Sequence, residues 1–109
     1  MDFDTLLQLV VQKKASDLFI TAGWAPSLKV NGSLQAISKN TLNNSQTHEI
    51  VLSIMTAGQK EEFKITNECQ FAIQRPGIGR FRVSAFTQRG SAGMVLRRIE
   101  SRIPTVEEL

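Results

Sequence analysis

Residues 79–99 read GRFRVSAFTQRGSAGMVLRRI. Aromatic and β-branched residues alternate with polar ones on either side of a Gly-containing break, the pattern of two strands folded back on one another, over 79–88 and 93–100. A period of two over 80–88 sends Phe81, Val83 and Ala85 to one face and Arg80, Arg82, Ser84, Phe86 and Gln88 to the other. The apolar set predicts the core side of a long hairpin around which the rest of the chain folds. The polar side carries the puzzle, because these residues hold five arginines and no acid.

Two registers are open. A turn on Arg89 and Gly90 alone pairs 88 with 91 and sets Arg82 directly opposite Arg97. A turn using all of 89–92 pairs 82 with 99 and leaves Arg97 opposite Ser84, one diagonal away. Either way two guanidinium groups share a face at close range, where like charges opposed in a sheet cost up to about 1 kcal/mol. An anion relieves that repulsion, and the planar fork of arginine suits carboxylate or phosphate. The competing reading is a solvated array that protects a half-exposed strand from aggregation. For an arbitrary domain that is the commoner outcome, and spacing alone does not reverse it.

Working outward, Phe3, Leu6, Leu7, Val10 and Val11 recur at helical spacing and predict an amphipathic helix ending near Lys14. Residues 17–22 of SDLFITAG predict a strand stopped by Gly23. Asn31-Gly32 between two short alternating runs predicts a hairpin over 27–37 on a two-residue turn. Asn43 and Gln46 have capping-box spacing, with Ile50, Val51, Ile54 and Met55 following at helical intervals, which predicts a helix over about 44–56. GQKEEFKIT predicts a further short helix, ECQFAIQ a strand and RPGIG a turn. Six strands joined mostly by short turns, with about three helices, give an α+β fold whose largely antiparallel sheet has helices on one face.

Composition narrows the function. The 109 residues are 41% hydrophobic and 21% charged, which fits one globular domain, and a formal net charge of +3 is too balanced to argue a polyanion-coating protein. A single cysteine, Cys69, offers no disulfide partner and no zinc pair, so it reads as core filler in a reducing compartment. The acidic start, MDFDTLLQLVVQKK, lacks the basic residues of a secretory signal and is too short in its apolar run to cross a membrane. No glycine is followed by lysine, so no P-loop is present; His48 is the lone histidine, which excludes Ser-His-Asp and Cys-His catalysis. Asp17 reads as a turn residue and Trp24 as an amphipathic loop aromatic. Three classes remain from the residues: a nucleotide-contacting part of a larger enzyme, a free-standing PAS-like ligand-binding or sensor module, and a nucleic-acid binder. The last is weakest, since the arginines are not interleaved with stacking rings.

ASDLFITAG at 15–23, VNG at 30–32 and GIGRFRVSAFTQRGSAGMVLRRI at 77–99 followed by PTVEEL together resemble the N-terminal domain of the type IV pilus retraction ATPases, the PilT/PilU family. Phe19 stands where the family commonly has histidine; this, with FIT after it and RRIE closing the last strand, resembles the PilU branch. The resemblance implies a PAS-like N-terminal domain over 1–103, with 104–109 starting the linker or helix into a RecA-like ATPase domain. In related secretion ATPases two arginines fifteen residues apart reach the γ-phosphate of ATP bound on that second domain, and by resemblance they correspond to Arg82 and Arg97. The implied ligands are ATP and Mg2+ in the full-length protein, none bound to this chain alone, and no metal site or catalytic residue within it. The implied partners are the RecA-like domain, neighbouring subunits of a homohexamer, a PilT-type ATPase and the inner-membrane pilus platform, with no nucleic acid. The implied location is the cytoplasmic side of the inner membrane at the pilus base, and the implied work is pilus retraction and twitching motility.

Overall fold

The computed structural model describes residues 3–99, and the expected linker at 104–109 lies outside them. Helix α1 (Phe3–Gln12) presents Leu6, Leu7 and Val10 to the core at the expected spacing and stops where Lys14 takes a left-handed backbone. Strand β1 (Asp17–Ile20) is shorter than the 17–22 expected, because Ala22 leaves the sheet to make an isolated parallel bridge with Leu42. Strands β2 (Ser27–Val30) and β3 (Ser33–Ala36) turn on Asn31 and Gly32 at φ of 51° and 81°. Positive φ at both positions is what this two-residue turn demands, and Asn-Gly tolerates it.

Helix α2 (Asn44–Ser53) forms the anticipated capping box: the Asn43 side chain accepts from the Gln46 backbone N–H while the Gln46 side chain accepts from that of Asn43, both at 2.8 Å. Helix α3 (Ala57–Thr66) begins with a second box, Thr56 with Gln59, and ends at Asn67 in left-handed backbone. Each box satisfies two amide donors that a helix start otherwise leaves unpaired.

Strands β4 (Glu68–Arg75), β5 (Gly79–Gln88) and β6 (Ser91–Ile99) complete one antiparallel sheet in the order β3-β2-β1-β6-β5-β4. Strand β6 starts at Ser91, two residues before the expected 93, because the β5–β6 turn uses only Arg89 and Gly90, at φ of 53° and 78°. Of the two registers left open, the tight one is present: Gln88 pairs with Ser91, and Arg82 lies opposite Arg97.

The three helices cover one face, the α+β arrangement expected from the residue pattern. Leu7, Val10, Leu18, Ile20, Leu28, Val51, Phe81, Val83, Met94 and Leu96 are fully buried between sheet and helices. Each such side chain contributes about 1.5–3 kcal/mol on leaving water. Arg75 braces the assembly from outside: its Nε donates to Asp4 Oδ1 at 3.2 Å and its guanidinium lies 6.0 Å from the Phe3 ring, tying the end of β4 to the start of α1. Arg75, just before the long hairpin, is thus a strut.

On the helix-free face Phe86 covers Gly93, its cross-strand partner. A Cβ at Gly93 would stand 3.0 Å from the Ile20 carbonyl and 3.1 Å from the Phe86 ring, so glycine is needed for this close approach.

Candidate functional site: an arginine pair on the open sheet face

The register builds the site. Side chains on directly paired residues of an antiparallel sheet share a face, so one row crosses the open face from β2 to β5: Lys29, Asp17, Arg97 and Arg82, each opposite the next. Ala72 continues the row on β4, and Arg80 stands two residues along β5 from Arg82. Arg82 is exposed, and among the described residues it has no ion pair. Two opposed guanidinium groups are retained here at the centre of the sheet, not at an edge where charge protects against aggregation. The edge-protection reading therefore loses its premise.

Arg97 differs from its neighbour. Its Nε donates to Asp17 Oδ1 at 3.2 Å, with the Arg97 side chain 73% exposed and that of Asp17 5% exposed. The other carboxylate oxygen, Oδ2, accepts from the Ser16 hydroxyl at 2.8 Å. The sequence offered Asp17 only as a turn residue. Its bond to Ser16 is local, but its main partner is eighty residues away. The signal that could have found it is the charge imbalance itself: a strand pair with arginines and no acid borrows its counter-ion from the next strand, and Asp17 is the acid at the start of one. With a single carboxylate among three cations, the row remains doubly positive.

Of the remaining residues singled out from sequence, Phe19 shares this face beside the row and the others are not brought to it. Arg98 falls on the opposite face from Arg97, half-buried and opposite Phe81. Arg89 makes the turn, and His48 is exposed on α2. Trp24 is 69% exposed, on a loop whose backbone is pinned by bonds from Trp24 N–H to the Thr21 carbonyl and from Leu42 N–H to the Trp24 carbonyl. Phe19 is half-buried on the open face, opposite Val95. Cys69 is buried on the core side, and its thiol is pushed up to about 11 by burial, with Glu62 beside it adding to the rise; this thiol is inert. Among the described residues no helix is long and apolar enough to cross a membrane.

No protein-family model matches the chain. It is 57% identical over 109 residues to the type IV pilus ATPase PilU of Pseudomonas aeruginosa, covering 100% of this chain and 28% of that protein. To the type IV pilus retraction ATPase PilT of the same organism it is 38% identical over 109 residues, covering 100% of this chain and 32% of that one. A crystal structure of the pilus retraction motor PilT with bound ADP superposes with a TM-score of 0.88 at 25% identity, over 100% of this chain and 32% of that one. The chain has the N-terminal domain of the PilT/PilU family. It spans less than a third of the length of these relatives. The match to PilU exceeds that to PilT, in line with the branch that Phe19 and the RRIE ending resemble, and the paired arginines sit at the centre of the sheet of this PilT/PilU-type domain.

Proposed function

We propose that this PilT/PilU-type domain belongs to a PilU-like ATPase that powers type IV pilus retraction, and that Arg82 and Arg97 contact the γ-phosphate of ATP bound on a RecA-like domain outside residues 1–103. The observation that carries the reading is the register: it sets Arg82 directly opposite Arg97 on a face that the helices leave open. Two forks on one face match a phosphoryl group with several oxygens, and the charge of Arg82, which has no ion pair among the described residues, is unspent until such a group arrives. Each would stabilise the negative charge that spreads over the phosphoryl oxygens during transfer, without itself forming or breaking a bond. The solved relative that carries ADP supports a nucleotide as the anion.

The described residues hold no group of three or more His, Cys, Asp or Glu that could bind a metal. In this reading Mg2+ and the P-loop belong to the other domain, and this domain has no turnover of its own. Closure of the two domains on ATP would be the mechanical step, because contacts made in only one state shift the domain equilibrium. The open face would then pack within a homohexamer at the cytoplasmic side of the inner membrane, alongside a PilT-type ATPase and the pilus platform. A free-standing ligand-binding module would hold its ligand between sheet and helices, where Leu7, Val10, Leu18, Val51 and Val83 are fully buried in one apolar cluster.

The test is Arg82→Ala in the complete ATPase. It should lower ATP turnover by roughly 10²–10³-fold, the effect of removing one pre-organised charge-stabilising donor. The melting temperature of the domain should not fall, since Arg82 has no partner to orphan and its loss relieves the repulsion with Arg97. Arg97→Ala is a poorer probe, because it strips a buried carboxylate of its cation and costs about 1–3 kcal/mol of stability on top of any catalytic effect. Arg97→Lys keeps a cation beside Asp17 but loses the planar fork, and should reproduce most of the turnover loss. Wild-type turnover in both Arg82→Ala and Arg97→Lys would remove the phosphate assignment.

A further inference from the structure

Asp17 holds a position that charge balance alone does not require. A counter-ion that only softened the repulsion between Arg82 and Arg97 could sit exposed, where hydration makes a carboxylate inexpensive, yet Asp17 is 4% exposed. Burial at that level persists only when both oxygens are served. Both are: Oδ1 by Arg97 Nε–H, and Oδ2 by the Ser16 hydroxyl. Ser16 is tied to the sheet in turn, its N–H donating to the Lys29 carbonyl and its carbonyl accepting from Arg98 N–H. The carboxylate is therefore locked in place before Arg97 meets it.

The atom it holds matters. A guanidinium offers two bidentate edges, one made of Nε and a terminal amino group, the other of the two terminal amino groups. Contact through Nε occupies the first edge, on the side of β1, and leaves free the end-on fork of a side chain that is 73% exposed. Arg82, with no ion pair among the described residues, has no such guide.

We propose that Asp17 is the positioning residue of the arginine pair, clamping Arg97 side-on so that its terminal amino groups face the phosphoryl group, while Arg82 is drawn in only when the phosphate arrives. This rests on the phosphate reading of Arg82 and Arg97. A pre-set Arg97 loses less rotamer freedom on binding, so the pair has one rigid and one adaptable member. The carboxylate opposes anion binding electrostatically, and the doubly positive row leaves that opposition outweighed.

The experiment is a set of variants in the complete ATPase, with kcat and KM for ATP and the melting temperature measured together. Asp17→Ala should lower kcat by roughly 10- to 100-fold, the range seen when a partner that orients a functional group is lost, with a smaller change in KM. Asp17→Asn, which keeps an acceptor for Nε, should restore kcat close to wild type. On an Arg97→Ala background Asp17→Ala should have no further effect on kcat, whereas on Arg82→Ala it should still act. Equal kcat losses in Asp17→Asn and Asp17→Ala would make Asp17 a charge-balancing group and overturn the clamp. So would wild-type kcat in Asp17→Ala, or an undiminished effect on the Arg97→Ala background. If Arg82→Ala and Arg97→Lys both retain wild-type turnover, the phosphate reading fails instead, a separate outcome. Where Asp17→Ala does not fold, Ser16→Ala frees Oδ2 by changing only an exposed side chain. It should lower kcat severalfold in a manner that vanishes with Arg97→Ala, and persistence there overturns the proposal.

Discussion

The domain contains two hairpins on the same kind of turn, and they carry different loads. β2–β3 turns on Asn31-Gly32 and β5–β6 on Arg89-Gly90, each pair in left-handed backbone. The first joins strands of four residues at the sheet edge, and every residue of β3 is exposed. The second joins strands of ten and nine residues at the centre, with Phe81, Val83, Met94 and Leu96 fully buried beneath and the arginine pair above. Turn chemistry sets the register in both. What the register is worth depends on what lies on the two faces: a one-residue slip in β5–β6 would move the arginines into the core and the core into water.

The largest expected contrast follows directly. Phe81→Ala in the long hairpin should cost about 3–5 kcal/mol, the lost transfer energy plus the cavity left behind. Leu34→Ala in the edge hairpin, at a side chain 66% exposed, should stay within about 0.5 kcal/mol. Urea unfolding of the two variants decides the matter. Near-equal midpoints would mean that the edge hairpin is bound into the cooperative core.

Much of this was legible in the residues, for identifiable reasons. Asn31-Gly32 and the Asn43/Gln46 box are local signals, and local geometry alone satisfies them. The alternation over 80–88 predicted both faces of β5, because a strand covered on one side only must alternate. The start of β6 was not legible: Arg89-Gly90 is a weaker turn signal than Asn-Gly, so the sequence admitted a two- or four-residue turn, and only the packing of Ala92 and Met94 selects between them. The arginine pair could be found but not the carboxylate that holds it, since Asp17 meets Arg97 through a β1–β6 pairing that joins distant parts of the chain. Pairing of that kind is decided by the whole sheet. That the arginines lie on the face without helices was legible, because the apolar set of 81, 83 and 85 marked the core side of the strand.

The buried side of the long hairpin should also confer a pH dependence that the edge hairpin lacks. Cys69 lies opposite Ala85 on that side, with its thiol raised from 9.0 to about 11, first by burial and then by Glu62. Its neutral form is favoured by folding. The contribution is therefore fully present below pH 9, where the thiol is protonated in folded and unfolded chains alike, and is lost as pH rises from 9 toward about 11. A tenfold difference in acidity between the folded and unfolded thiol corresponds to about 1.4 kcal/mol. The urea midpoint should fall between pH 8.5 and 10.5 more steeply for the native chain than for Cys69→Ala; parallel profiles would mean that the thiol ionises freely in the folded state.

The smallest effect tests the turns themselves. Arg89 holds φ of 53° without the side-chain chemistry that lets Asn31 tolerate φ of 51°. An ordinary side chain in left-handed backbone costs about 1–2 kcal/mol, and asparagine recovers part of this by bonding locally. Arg89→Asn gives the long hairpin the turn sequence of the short one, and should stabilise the domain by about 0.5–1 kcal/mol, or roughly 2–6 °C in melting temperature. Arg89 stands outside the row formed by Lys29, Asp17, Arg97 and Arg82, so ATP turnover by the complete protein should not change. A stability gain with unchanged turnover confines the arginine chemistry to the open sheet face. A gain accompanied by lost turnover would show that the strain at Arg89 is retained for function, and that the site reaches from the face of the long hairpin to its tip.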